Sequence, residues 1–336
     1  MHPPHRRTAL LALATTLGLL VAGCGSAESA TSGASSSGAG GGQLSIVTTT
    51  NVYAAIARAV AGDRARVTAI LDDPSADPHS FEATPADQVA IGKANVVIAN
   101  GGGYDDFAMK MVEAAPSHPA LLDAVEISGL DAGGHPHASA DAASGAGEPA
   151  GHDHGVFNEH VFYSYPAMAK LANALADKLS ADDPAGAAAF RKNAASFTAG
   201  LDKLTAQATD VGKKYPGRRA VVTEPVAGYL LDTIGIADAT PESFAEAVEE
   251  ENDPSVKDVA AVSDLLKQHQ VSLLVYNDQT SGPVTDQVQR TAESAGIPVA
   301  PVSETLPPGV DSYLTWQQRT IGGLASALAA APEAGR

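Results

Sequence analysis

The chain has 336 residues, 44% of them hydrophobic, with 32 Gly and 21 Pro; this suits roughly two globular domains of about 150 residues each and argues against wholesale disorder. Its 21 Lys and Arg stand against 39 Asp and Glu, a net charge of −18 that repels phosphate backbones and anionic lipid faces and excludes nucleic acid as a partner. A single cysteine excludes a disulfide scaffold and a zinc finger.

Residues 1–23 read as a lipoprotein signal peptide. Arg6 and Arg7 form a positive flank, and Thr8 to Leu20 is an apolar run too short for a membrane span. Val21-Ala22-Gly23-Cys24 resembles a bacterial lipobox, which makes Cys24 the expected site of lipidation and of attachment to the cell membrane from the extracytoplasmic side. Residues 24–43, rich in Gly, Ser and Ala, read as a flexible tether that holds the folded body roughly 20–25 Å from its anchor.

From Leu44 onward, strands and helices alternate. Leu44–Thr48, Val67–Leu71 and Val96–Asn100 are predicted strands, with helices over Val52–Val60 and Pro85–Ala94. Gly101-Gly102-Gly103 lacks the Lys-Ser/Thr of a phosphate loop and reads as a turn. Residues 131–155 break the pattern: they are Ala/Gly-rich and carry His135, His137, His152 and His154 in a segment whose composition builds no core.

A long helix is predicted next, over 183–214. Asp183 suits its N-cap and Pro184 its first turn. Phe190, Phe197, Leu201, Leu204, Ala208 and Val211 fall on one stripe, and Lys213-Lys214 suit its C-terminal end. Alternation then resumes, with strands at Ala220–Thr223, Val271–Tyr276 and Ile297–Val302 and helices at Val256–Gln268, Thr285–Ala295 and Ser312–Ala330. The expected fold is α/β with parallel sheets, divided into a lobe over 44–182, the helix, and a lobe over 215–336.

Open α/β sheets bind ligands just beyond the carboxyl ends of their strands. Four metal-ligating residue types lie in or near such places: His79 after the second strand, His160 after the His-rich segment, Glu224 after the strand at 220–223, and Glu304 after the strand at 297–302. Two imidazoles and two carboxylates suit zinc, and their oxygen donors also suit manganese. No HExxH segment and no GxSxG elbow accompanies them, so an enzyme is not expected, although a metallohydrolase or a surface adhesin remains an alternative class.

These motifs resemble those of the solute-binding lipoproteins of zinc and manganese ABC importers. The resemblance runs through Ala76-Asp77-Pro78-His79-Ser80-Phe81-Glu82, the turn Asn100-Gly101-Gly102-Gly103-Tyr104-Asp105-Asp106-Phe107, and Asn158-Glu159-His160-Val161-Phe162-Tyr163. It implies two Rossmann-like lobes joined by a rigid interlobe helix, with His79, His160, Glu224 and Glu304 as metal ligands. It also implies a monomer that delivers one divalent cation to an ABC permease. Many zinc members carry His where this chain has Glu224, a feature similar to the manganese branch, and Glu304 stands where Asp is usual. The His-rich segment favours zinc and the paired carboxylates favour manganese; zinc is the expected cargo, with manganese as the alternative.

Overall fold

The computed structural model describes residues 43–74, 81–130 and 157–332. The signal peptide, Cys24, nearly all of the tether, His79 and the His-rich segment 131–155 lie outside the described residues.

The first sheet is built from β1 (Leu44–Thr50), β2 (Ala65–Leu71), β3 (Val96–Ala99) and β4 (Ala120–Asp123). Between and after these strands run α1 (Asn51–Ala61), α2 (Pro85–Gly92), α3 (Asp106–Glu113) and α4 (Ala124–Ser128). A pair of longer helices follows, α5 (Tyr165–Asp182) and α6 (Ala187–Lys214). The second sheet contains β5 (Arg219–Val222), β6 (Ala237–Asp238), β7 (Leu273–Asn277) and β8 (Val299–Val302). Its helices are α7 (Gly228–Ile234), α8 (Glu242–Glu249), α9 (Val256–Lys267), α10 (Pro283–Ser294) and the terminal α11 (Tyr313–Ala330). Both sheets are parallel and four-stranded, and their orders match: β2-β1-β3-β4 and β6-β5-β7-β8.

The strands are apolar on both faces because each face is covered, as parallel sheets require. Side chains alternate along a strand, so neighbours enter different cores. Ile46, Val96, Ile98, Val222, Leu273 and Val275 point into one large core that receives α1, α5, α6 and α11. Val47 and Val97 pack outward with Ile91, while Val221, Leu274 and Tyr276 pack outward with Phe244, Val262 and Leu266. The large core therefore runs through both lobes. Trp316, Tyr53, Tyr163, Tyr313, Phe162 and Phe190 are its bulkiest fully buried members.

The long helix α6 has 28 residues, about 42 Å at 1.5 Å each. Its buried stripe is Phe190, Ala194, Phe197, Leu201, Leu204 and Ala208. It begins at Ala187 rather than at Asp183. Helix α5, absent from the sequence-based reading, runs up to that point, and the Asp183 amide closes it by donating to Leu179 O at 2.8 Å. Pro184 keeps Asp183 out of the helical region. The Asp183 carboxylate turns to Arg64, whose Nη2 lies 2.6 Å away, and Arg64 holds its pKa below the usual range. Gly212 on α6 allows a close approach: a Cβ there would stand 1.8 Å from Ile234 O of α7.

Candidate metal centre

The carboxyl ends of the two sheets supply the site. Glu224 lies two residues past β5 and Glu304 two residues past β8, and both are buried. Asn277, the last residue of β7, joins them: its Nδ2 donates to Glu304 Oε1 at 2.8 Å and also to Glu224 Oε2. The Thr280 hydroxyl donates to the other Glu224 oxygen. Burial raises the Glu224 pKa; the bonds from Thr280 and Asn277 oppose that rise, and the nearby Glu304 charge adds to it. One amide thus holds two like-charged groups close together, an arrangement that favours a proton or a metal cation between them.

His160 is fully buried, and its orientation follows from a chain of contacts. Asn158 Nδ2 donates to the Pro225 carbonyl at 2.8 Å, which can only accept, so the Asn158 oxygen faces the other way. That oxygen accepts from the His160 amide at 3.0 Å and lies 2.9 Å from His160 Nδ1. Nδ1 therefore carries the hydrogen, and in the neutral ring Nε2 presents its lone pair. Nε2 points at Glu249 Oε1, 3.3 Å away, and at Glu304 Oε2, 3.7 Å away. Burial pulls the His160 pKa down, but Glu249 and Glu304 outweigh it and leave the value raised.

The turn after β3 brings a further group from the first lobe. Asp105 accepts the Asn100 amide at 2.7 Å and the Gly101 amide at 2.9 Å, and burial raises its pKa to about 6. Gly101 has φ +79°, and a Cβ there would meet Asp123 Oδ1 at 2.2 Å, so only glycine fits. This turn places Tyr104 edge-on to His160, with ring centroids 5.8 Å apart, and its hydroxyl donates to Glu304 Oε2 at 2.9 Å. Gln279 clamps the same segment. Its Oε1 accepts from the Glu304 and Thr305 amides, the latter at 3.0 Å, and its Nε2 donates to Pro74 O at 2.5 Å.

Of the four residues picked out by sequence, the described structure brings together His160, Glu224 and Glu304; His79 follows Pro74 but lies outside the described residues. Sequence reasoning did not single out Glu249, Asn277, Tyr104 or Asn158. Asn277 obeys the strand-end rule that found Glu224 and Glu304. Glu249 carries a different signal, a run of three acids at the C-terminal end of a helix, where the dipole disfavours negative charge. Glu159, His160 and Glu249 each offer a ligand atom, all within 4.8 Å of one another.

A chemical property follows from this set. A lone pair on nitrogen and several carboxylate oxygens face a common region that also holds the Tyr104 and Asn277 donors. Such a group suits a small dication, and the oxygen-rich share broadens its choice beyond zinc.

Comparison with known proteins agrees with the architecture. Residues 46–327 match the family model described as ZnuA, zinc-uptake complex component A, periplasmic. The manganese-binding lipoprotein MntA of Halalkalibacterium halodurans is 27% identical over 227 residues, 66% of this chain and 67% of that protein. The zinc-binding lipoprotein AdcA of Streptococcus pneumoniae is 24% identical over 263 residues, 75% of this chain but 48% of that protein, so the chain spans about half of that relative. Among solved structures, the periplasmic zinc-binding protein TroA from Treponema pallidum superposes with a TM-score of 0.69 at 16% identity, over 85% of this chain and 99% of that one. At that identity the likeness speaks for the fold alone.

Proposed function

The chain belongs to the ZnuA family of zinc-uptake component A proteins, and from that premise we propose that it is the extracytoplasmic metal-binding component of an ABC importer. It would capture one divalent cation between its two lobes and deliver it to the membrane permease, without catalysis. The single observation that carries this reading is the His160 lone pair, aimed by Asn158 at Glu304, whose carboxylate shares the Asn277 amide with Glu224. The proposed ligands are His160, Glu224, Glu304 and His79. Membrane attachment through a lipidated Cys24, the tether over 24–43 and the lobe limits 44–182 and 215–336 belong to the same reading.

Zinc is the proposed cargo. Mixed nitrogen and oxygen sites bind it more tightly than manganese, and the His-rich segment suits an imidazole-seeking ion. Manganese is the second reading, favoured by the carboxylate pair that Asn277 holds. Among the described residues no helix is long and apolar enough to cross a membrane.

Anaerobic titration of the chain with zinc and with manganese tests the proposal, wild type beside His160→Ala and Glu224→Ala. One tight equivalent is expected in the wild type and is lost in both variants. Unchanged stoichiometry and affinity in both variants overturns it. Deleting residues 133–155 is expected to slow or weaken capture and to leave the tight equivalent in place.

A further inference from the structure

Helix α8 sends one side chain toward the centre that no feature of the paired His and Glu motifs anticipates. Phe244, fully buried in the outer core of the second lobe, anchors the helix, and Val248 packs against the same core. Glu249, the last helical residue, turns inward and keeps 13% side-chain exposure. Its neighbour Glu250 is exposed and accepts from Asn252 at 3.1 Å. Two adjacent acids on one helix end therefore have different surroundings, and only the first faces His160.

The spacing has a specific meaning. Ligand atoms held about 2.0–2.2 Å from a tetrahedral cation stand about 3.3–3.6 Å from each other. His160 Nε2 lies 3.3 Å from Glu249 Oε1 and 3.7 Å from Glu304 Oε2, close to two such edges. The Asn158 contact assigns one ring hydrogen to Nδ1, so in the neutral ring this edge joins a lone pair to a carboxylate oxygen, and a cation can take the place of the proton that otherwise bridges them. A carboxylate at a helix C-terminus, little exposed and beside Glu304, is placed against the helix dipole and against like charge. The His160 ring when protonated, or a dication in place of that proton, offsets both.

We propose that Glu249 is a further ligand to the captured cation and that, as an added oxygen donor, it raises the affinity for manganese more than that for zinc. The inference rests on the metal-capture reading above and deepens it. A carboxylate there gives the site a third acid from the second lobe, beside Glu224 and Glu304. Harder ions that take more than four oxygen-rich ligands gain most from it. Zinc, content with four donors, gains less.

The test uses the full chain in detergent, titrated anaerobically with manganese chloride and with zinc chloride. Wild type is compared with Glu249→Gln, Glu250→Gln and Glu304→Gln. Glu249→Gln is expected to lose about tenfold or more in manganese affinity, and less for zinc, with one fewer oxygen in the manganese shell seen by X-ray absorption. Glu250→Gln is expected to match the wild type. Wild-type manganese affinity in Glu249→Gln, alongside loss in Glu304→Gln, overturns the role of Glu249 and leaves the capture reading standing. Absence of a tight equivalent in the wild type overturns both. Should Glu249→Gln fail to fold, Glu249→Asp, which withdraws the charge by one methylene, is read the same way: a tenfold loss supports the role and no loss removes it.

Discussion

The Tyr104 hydroxyl reaches across from the first lobe to donate to Glu304 Oε2 of the second at 2.9 Å. Burial keeps this phenol protonated far beyond the usual tyrosine range, and the adjacent Glu304 charge adds to the effect, so it acts as a fixed donor. It leaves Glu304 oriented toward His160 before any ion arrives. Tyr104→Phe removes that donor at almost constant volume. The expected result is a loss of about 10- to 100-fold in metal affinity, as for other groups that orient a ligand, and about 1 kcal/mol of apo stability. Calorimetric titration and a denaturant melt check the two parts separately; unchanged affinity would show that Glu304 needs no such support.

The pKa shifts fix the sign of a pH dependence. Asp105, Glu224 and His160 all bind their protons more tightly in the folded apo protein than in the unfolded chain. Each therefore contributes stability below its unfolded pKa, and that contribution fades as pH rises through the folded value. For Asp105 the window runs from 3.8 to about 6, and the rise corresponds to roughly 3 kcal/mol. For His160 the window opens at 6.5 and extends upward. Metal binding carries the opposite sign at the proposed ligands, because the ion replaces the protons of His160 and Glu224. In chelator the melting temperature is expected to fall between about pH 5 and 8, while the stabilisation added by zinc grows over the same range. A flat or rising apo profile would contradict the shifts.

The contact between α6 and α7 makes a third prediction. Gly→Ala inside a helix ordinarily stabilises it by about 1 kcal/mol. At Gly212 the added methyl meets Ile234 O at 1.8 Å, a backbone atom that cannot rotate away. Gly212→Ala is expected to destabilise the chain by about 1–3 kcal/mol, read from denaturant midpoints. A gain in stability would mean that α6 and α7 separate without cost.

How much of this was legible in the sequence depended on the range of the interaction. Strand ends are local: short apolar runs and the turns that break them place Glu224 and Glu304, and the parallel α/β class follows from the alternation of strands with helices. The start of α6 was misplaced because Asp183 looks like a cap. Its use as the end of α5 and as a partner of Arg64, 119 residues earlier, is a tertiary fact. Tyr104 meets Glu304 across 200 positions, and Asn277 meets Glu224 across 53. No window of sequence shows such pairs. Glu249 escaped for a different reason: the run of three acids marks a helix end, but only the fold shows that the first of them faces His160.

The aromatic and aliphatic interior that continues from Ile46 and Val96 through α5 and α6 to Leu273 and Trp316 makes the halves interdependent for folding. Expressed alone, a fragment ending at Asp182 would expose the side of α5 that α6 now covers, and the fragment that begins at Arg218 would expose the sides of α7 and α11 that pack on α6. Both pieces lose their share of that common interior, so the expected outcome is one cooperative melting event for the whole molecule, checked by calorimetry.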